Sequence, residues 1–148
     1  MERALVAIEP TDGTKEFARE AGTLAAGVDA EVVVVHVTTE DEYTARRQAM
    51  ASMPSGAETY TTDDASEGAA KFARDFAEDA LADIDVAYET AGYVGEKGTV
   101  LLDAAEEHDC DHVFLAGRDR SPTGKALFGD PTQRVLLEFD GPVTVVTA

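Results

Sequence analysis

The chain has 148 residues, enough for one domain with a sizeable core, and its 30 acidic and 12 basic residues give a formal net charge of −18 at pH 7. This charge repels nucleic acid backbones and anionic membranes, the scarcity of lysine is typical of a halophilic protein, and the single cysteine, Cys110, excludes an intramolecular disulfide. Because no apolar run approaches the ~20 residues of a membrane span and no secretory signal begins the chain, we expect a cytoplasmic protein without membrane insertion and without a nucleic acid partner.

The first part of the chain carries two strand patterns separated by a helix pattern. The apolar run Arg3–Ile8 predicts a first strand, which a turn follows. Apolar residues such as Phe17 and Ala21 recur at helical spacing and predict a helix over Thr14–Gly27. A second strand is predicted over residues 31–37, where four consecutive valines are typical of a strand buried on both faces, as in a parallel sheet.

The middle of the chain is less regular. Residues 38–66 are mostly polar and contain proline and glycine, and a short helix is predicted over residues 43–50. Asp64 and Glu67 resemble a capping pair at the start of a longer helix. The apolar face of that helix is marked by Ala69, Phe72, Ala73, Phe76 and Ala80.

The second half of the chain repeats the alternation of strand and helix. The predicted elements are a third strand (residues 86–91), a loop (92–98), a helix (99–108), a fourth strand (112–116), a last helix (130–138) and a fifth strand (142–147). Parallel neighbours need right-handed crossover connections, which such an alternation supplies. We therefore predict an α/β fold, a three-layer sandwich with a five-stranded parallel sheet in a single domain, whose ligands bind beyond the carboxyl ends of the strands.

A glycine-rich segment, residues 117–134, joins the fourth strand to the last helix. It contains four basic and two acidic residues in a chain that is otherwise strongly negative. Free N–H groups and the dipole at a helix N-terminus attract anions, so the segment predicts a phosphate-bearing ligand. It is not a Walker loop, because Ala126 follows Lys125 where a hydroxyl residue is needed. The other interpretation is a surface turn whose basic residues pair with acidic neighbours.

This segment resembles the signature of the universal stress protein family, G-x2-G-x9-G-[ST], between the fourth strand and the last helix. Gly117 matches the first glycine, and Gly129 matches the third after one deletion. Arg120 stands in place of the second glycine, and Asp130 in place of the hydroxyl residue. The flanking sequences fit the family over nearly the whole chain, and least well in residues 38–66.

The resemblance implies the fold of adenine-nucleotide alpha hydrolases and a homodimer joined along the last strand, between Pro142 and Thr147. In the branch of the family that binds ATP, the acid after strand one approaches the ribose or phosphates. The residue that ends strand two offers its backbone to the base, and the glycine loop holds the phosphates. Carried onto this chain, the implied ATP-binding positions are Glu9, Pro10, Thr11, Val37, Gly117, Arg118, Arg120, Gly129, Asp130, Pro131 and Thr132.

The two departures from the signature change the charge of the implied phosphate site. Asp130, followed by Pro131 and Gln133, is a good helix start. Its carboxylate would accept hydrogen bonds from the N–H groups that a phosphate uses. The carboxylate would also repel the phosphate, since two negative unit charges about 4 Å apart repel by ~4 kcal/mol at an effective dielectric constant of about 20. Arg120 adds a guanidinium that pairs with phosphate and offsets this charge. The site therefore either binds through side-chain charge or is degenerate, and we favour retained nucleotide binding.

Three other groups of residues suggest chemistry of their own. Glu9 and Asp12 could hold a hydrated Mg²⁺ together with phosphates, although loop solvation and helix capping are commoner uses of such acids. The run from His108 to His112 contains possible zinc ligands, but it crosses from a helix end into a strand, and we expect its side chains to diverge. His36 is expected to be structural, since no nucleophile pattern accompanies it.

These patterns favour a stress-response protein that binds ATP with Mg²⁺ and serves as a nucleotide sensor. The chain offers no convincing general base or activated nucleophile, so we do not expect a fast enzyme. Two alternatives stay open at this point. One is a dimeric adaptor of the same fold with an empty site, and the other is a slow ATP hydrolase.

Overall fold

The computed structural model describes residues 1–52, 60–117 and 130–147, and for residues 130 and 147 it describes the backbone only. Five strands and five helices occur in these residues. In chain order they are β1 (Arg3–Ile8), α1 (Thr14–Gly27), β2 (Glu31–Thr38), α2 (Glu40–Ala51), α3 (Thr62–Ala80), β3 (Tyr88–Val94), α4 (Lys97–Glu107), β4 (His112–Gly117), α5 (Asp130–Glu138) and β5 (Val143–Thr147).

The five strands form one parallel sheet in the order β3-β2-β1-β4-β5, which confirms the predicted sheet. Val6 in the central strand lies opposite Val34 of β2 and Phe114 of β4. The strand order reverses direction between β1 and β4, because the chain moves outward from β1 to β3 and then returns to the other side. Ligand sites of open parallel sheets lie at this reversal, beyond the carboxyl ends of the strands.

Helices cover both faces of the sheet, because successive side chains of a buried strand point to opposite faces. One core cluster joins Ala4, Val6 and Ile8 of β1 to α1 and α3, and the other joins Leu5 and Ala7 to α4 and α5. The valines of β2 alternate between the two clusters. The result is the predicted three-layer sandwich. Among the helices described here, none combines the length and the apolar character needed to cross a membrane.

Two helices in the middle of the chain differ from the prediction. The short helix α2 is longer than residues 43–50, and Thr39 and Glu42 form a capping box at its start. The predicted capping pair of Asp64 and Glu67 is wrong, because Thr61 caps α3 and Asp64 is the reciprocal partner in the third helical position. Both errors have one cause, since the hydroxyl residues that cap the helices lie in a segment with little apolar periodicity.

The third strand begins and ends later than predicted. Residues 92–94, assigned to a loop, belong to β3 and pair with β2. Gly92 is needed there, because a Cβ at this position would lie 2.0 Å from the backbone nitrogen of Ala70 in α3. The glycine that suggested a loop instead permits a close approach between helix and strand. Helix α4 therefore begins at Lys97, directly after the strand, where Glu96 accepts N–H groups of Gly98 and Thr99.

Candidate functional site

A cavity of about 160 Å³, called the first cavity below, lies where the sheet order reverses. It is bounded by the ends of β1 and β4, the start of α1 and the start of α5. Its lining residues are Ala7, Glu9, Thr11, Asp12, Gly13, Thr14, Phe17, Lys97, Ala116, Gly117, Pro131, Thr132 and Val146. The position is the one that the strand order predicts for a ligand site.

A second cavity, of about 350 Å³, adjoins the first and extends over the end of β2. Both cavities are lined by Glu9, Thr11, Lys97 and Pro131, which therefore form the boundary between them. The remaining lining residues of the second cavity are Pro10, His36, Val37, Thr39 and Glu42. The two cavities together make an elongated cleft across the ends of three strands, of the size class that holds small ligands.

The turn after β1 directs the start of α1 toward the first cavity. Gly13 precedes the helix in the left-handed conformation, with a φ of 86°, and no side chain caps the helix there. The hydroxyl of Thr14 accepts the backbone N–H of Glu9 at 3.3 Å, which holds the turn closed. An N-terminus without a side-chain cap presents backbone donors and a positive dipole end to an anion.

Glu9 and Lys97 form an ion pair at the boundary between the two cavities. The lysine side chain is 19% exposed and the glutamate side chain 39% exposed. Glu9 follows β1, while Lys97 opens α4 after β3, so the pair joins the ends of two strands that β2 separates. Lys97 was not among the predicted site residues, although the sequence places it in the loop that follows the third strand. A signal was present, since Lys97 is one of only four lysines and follows the end of a strand.

Seven of the predicted ATP-binding positions line the cleft. Glu9, Pro10 and Thr11 follow β1, Val37 and Gly117 belong to the ends of β2 and β4, and Pro131 and Thr132 lie in the first turn of α5. Asp12, the second residue suggested for Mg²⁺, lines the first cavity only. Arg118, Arg120 and Gly129 lie outside the described residues, as does the side chain of Asp130, so their predicted roles stay predictions.

The histidine at the end of β2 takes part in the packing of the strands. His36 is buried, its Nδ1 donates to the carbonyl oxygen of Ile8 at 3.1 Å, and its ring meets the edge of Phe72 at 4.6 Å between centroids. The ring therefore ties β2 to β1 and to α3, and it leaves one side facing the second cavity.

The side chains of the His108 to His112 run are held by different partners. Nε2 of His108 lies 2.8 Å from the Tyr93 hydroxyl, whereas Nε2 of His112 lies 2.8 Å from the Thr144 hydroxyl. Burial raises the pKa of the Cys110 thiol to about 11, so this thiol is protonated at neutral pH. Across residues 1–52, 60–117 and 130–147, no cluster of three or more acidic, histidine or cysteine side chains could hold a metal ion.

Arg134, which the sequence analysis counted with the basic loop segment, is engaged by acidic side chains. Its guanidinium lies 2.7 Å from the carboxylate of Glu96 and 2.8 Å from that of Glu138. The first contact links α5 to the start of α4. These bonds stabilise the helix pair beside the cleft, and their partners raise the pKa of the guanidinium above its usual value, the Glu138 hydrogen bond most strongly.

Comparisons of the sequence with known proteins identify related proteins. A sequence model of the universal stress protein family matches residues 1–147. A universal stress protein of Mycolicibacterium smegmatis is 39% identical over 67 residues, which are 45% of this chain and 52% of that protein. The matched segment thus spans about half the length of this curated relative.

Solved structures of the family share the architecture over nearly the whole chain. A universal stress protein from Archaeoglobus fulgidus is 25% identical, with a TM-score of 0.68, covering 99% of this chain and 98% of that chain. A universal stress protein structure from A. fulgidus in complex with dAMP is 20% identical with a TM-score of 0.65 and covers 99% of this chain and 98% of that chain. A universal stress protein in complex with cAMP is 18% identical with a TM-score of 0.61 and covers 99% and 96%. These likenesses show the shared fold, and the match of the family model over residues 1–147 establishes that the chain belongs to the universal stress protein family.

Proposed function

We propose that this protein binds an adenine nucleotide, with ATP as the first candidate, in the cleft across the ends of β1, β2 and β4. The observation that carries the proposal is the pair of adjoining cavities at the reversal of strand order, around which seven predicted positions gather. The second cavity offers the backbone of Val37 to a base. The first cavity offers the start of α1 to phosphates.

Relatives with the same fold support an adenine nucleotide as the ligand class. One A. fulgidus structure contains dAMP, and another universal stress protein structure contains cAMP. Both ligands carry an adenine base. The start of α5 contributes to the same site, because buried Thr132 and the neighbouring Pro131 line the first cavity. A nucleotide in this position would contact the ends of β1, β2 and β4 and the start of α5. Its binding would therefore stabilise the arrangement of these elements.

The biological role that follows is that of a nucleotide-dependent regulatory module. Among the described residues, the side chains that line the cleft include no serine or cysteine nucleophile, and the Glu9 carboxylate at the boundary of the two cavities is paired with Lys97. The proposal is therefore binding in a formed cleft and does not include rapid hydrolysis. The edge position of β5 leaves one side of its backbone for a second copy, so we include a homodimer through this strand in the proposal.

The test is calorimetric titration with ATP, ADP, AMP and adenosine in concentrated KCl, with excess MgCl₂ or with excess EDTA. Binding must also raise the melting temperature by linkage, by an amount that grows with the ligand concentration. An unchanged melting temperature with every nucleotide would reject the proposal in favour of an adaptor with an empty site. Light scattering in the same buffer measures the mass of the assembly and tests the dimer independently.

A further inference from the structure

Lys97 occupies a position that a cation does not ordinarily favour. It is the first residue of α4, where the helix dipole repels positive charge. Its side chain is only 19% exposed, so most of the lysine side chain is withdrawn from water. A charge in such a place needs a compensating partner, which the carboxylate of Glu9 provides. The residue is therefore held at the cleft by Glu9 despite its own helix.

The same ion pair bears on the Mg²⁺ that the sequence suggested. Magnesium is usually held by one or two carboxylates together with substrate phosphates and water. Here the Glu9 carboxylate already faces the Lys97 ammonium, and a divalent ion at Glu9 would lie beside that positive charge. Asp12 lines the first cavity only and does not share the boundary. The residues at the boundary do not fit a divalent cation bridging Glu9 to a phosphate.

We infer that Lys97 supplies the positive charge that a divalent cation would otherwise bring, so the nucleotide binds here without Mg²⁺. The inference rests on the proposed nucleotide site and names the residue that neutralises its phosphates. Lys97 lines both cavities, and its flexible stem lets the ammonium group reach a phosphate while its helix stays in place. When the Lys97 ammonium group moves to the phosphate, the Glu9 carboxylate becomes available to accept hydrogen bonds from the ribose hydroxyls.

The experiment compares ATP affinity in EDTA and in MgCl₂ for the full chain and three variants. For the wild type we expect dissociation constants that agree within about threefold in the two buffers. For Lys97→Gln we expect roughly tenfold or weaker binding in EDTA, with partial recovery in MgCl₂ once Glu9 has lost its cation. Lys97→Arg keeps the charge and should bind independently of Mg²⁺, as the wild type does.

The matched control is Lys71→Gln, which removes the same charge from an exposed i,i+4 pair with Asp75 on α3. It should bind like the wild type in both buffers, and melting curves establish that each variant is folded. A wild type that loses tenfold or more in EDTA overturns the inference while leaving nucleotide binding intact. Equal behaviour of Lys97→Gln and Lys71→Gln also overturns it. Absence of ATP binding in both buffers rejects the proposed function, and this inference with it.

Discussion

The two ends of the sheet differ in how their polar groups are satisfied. At the amino end, the guanidinium of Arg3 donates to the Glu31 carboxylate at 2.6 Å and to the His108 carbonyl at 3.3 Å. The carboxylate of Asp111 accepts the backbone N–H groups of Glu2 at 3.0 Å and of Arg3 at 3.2 Å. These bonds join the starts of β1, β2 and β4 to the end of α4, so the chain satisfies its own polar groups there.

At the carboxyl end, the elements separate and leave the cleft. The charged groups there, Glu9 and Lys97, face each other across the boundary of two cavities, and α1 begins without a side-chain cap. Both ends carry charge, but only the carboxyl end combines charge with space. The comparison teaches that paired charge does not distinguish a binding end from a structural end, whereas open space beside that charge does.

The largest expected effect is on the stability of the fold, through the packing of α3 against β3. Gly92 lets α3 approach β3, and a Cβ would lie 2.0 Å from the Ala70 nitrogen. We expect Gly92→Leu to lower the free energy of unfolding by more than about 3 kcal/mol, because backbone must move to admit the side chain. Urea denaturation in high salt measures this free energy. Gly68→Ala, at a helix position with nothing within 4 Å of the added Cβ, should instead raise the free energy of unfolding by about 0.5–1 kcal/mol.

If Gly92→Leu unfolded at the same urea concentration as the wild type, the close packing of α3 on β3 would be wrong. The position of Lys97, which follows from where β3 ends, would then lose its support.

The same substitution at each end of the sheet tests the comparison directly. Ala116 lines the first cavity at the end of β4, whereas exposed Ala82 lies in the connection that leads to the start of β3. We expect Ala116→Leu to weaken ATP binding at least tenfold, or about 1.4 kcal/mol, because the larger side chain fills the cavity. Ala82→Leu should leave the dissociation constant unchanged. Calorimetric titration measures the ATP dissociation constants of both variants. Equal constants for Ala116→Leu and Ala82→Leu would show that ATP does not bind in the first cavity.

The amino end should affect stability and not binding. Arg3→Met keeps the aliphatic stem and removes the donors to Glu31 and His108. We expect a loss of about 1 kcal/mol in the free energy of unfolding, since the bonds are partly exposed to solvent. The ATP dissociation constant should not change. A variant with native stability and weaker ATP binding would show that the two ends are coupled.

The sequence predicted the frame well where patterns are local and strong. The bounds of β1, α1 and α5 agree with the structure, because apolar runs and helical spacing mark them. The bounds of β3 do not, because they depend on pairing with β2 and on the contact of Gly92 with α3. Such contacts join residues that are distant in the sequence and leave no local pattern.

The candidate site was predictable to the same degree. The family resemblance implied Glu9, Val37 and Gly117, which also stand at the ends of predicted strands, and the structure places all three around the cleft. The ion pair of Glu9 with Lys97 was not predictable, because it joins β1 to α4 across the width of β2. A sequence shows that both charges exist, but only the fold shows that they meet.

The smallest expected effect is a pH dependence at the amino end. Burial by itself would raise the pKa of Asp111, but the N–H groups of Glu2 and Arg3 lower it below its usual value. A lowered pKa adds stability that is fully present above the unfolded value of about 3.9 and is lost as the pH falls through the folded value. We expect Asp111→Asn to cost less than about 1 kcal/mol at pH 7, because solvent screens this exposed group.

The difference between wild type and Asp111→Asn should shrink as the pH is lowered below about 4, since the wild-type carboxylate then becomes protonated and neutral like the amide. Urea denaturation from pH 7 to pH 3 follows the change. Asp103→Asn removes the same charge from the surface of α4 and controls for the general loss of negative charge in this acidic chain. If the two variants lost stability in parallel over the whole range, the hydrogen bonds of Asp111 would contribute nothing specific. The amino end would then be held by Arg3 and the sheet itself, and the contrast with the cleft would rest on packing.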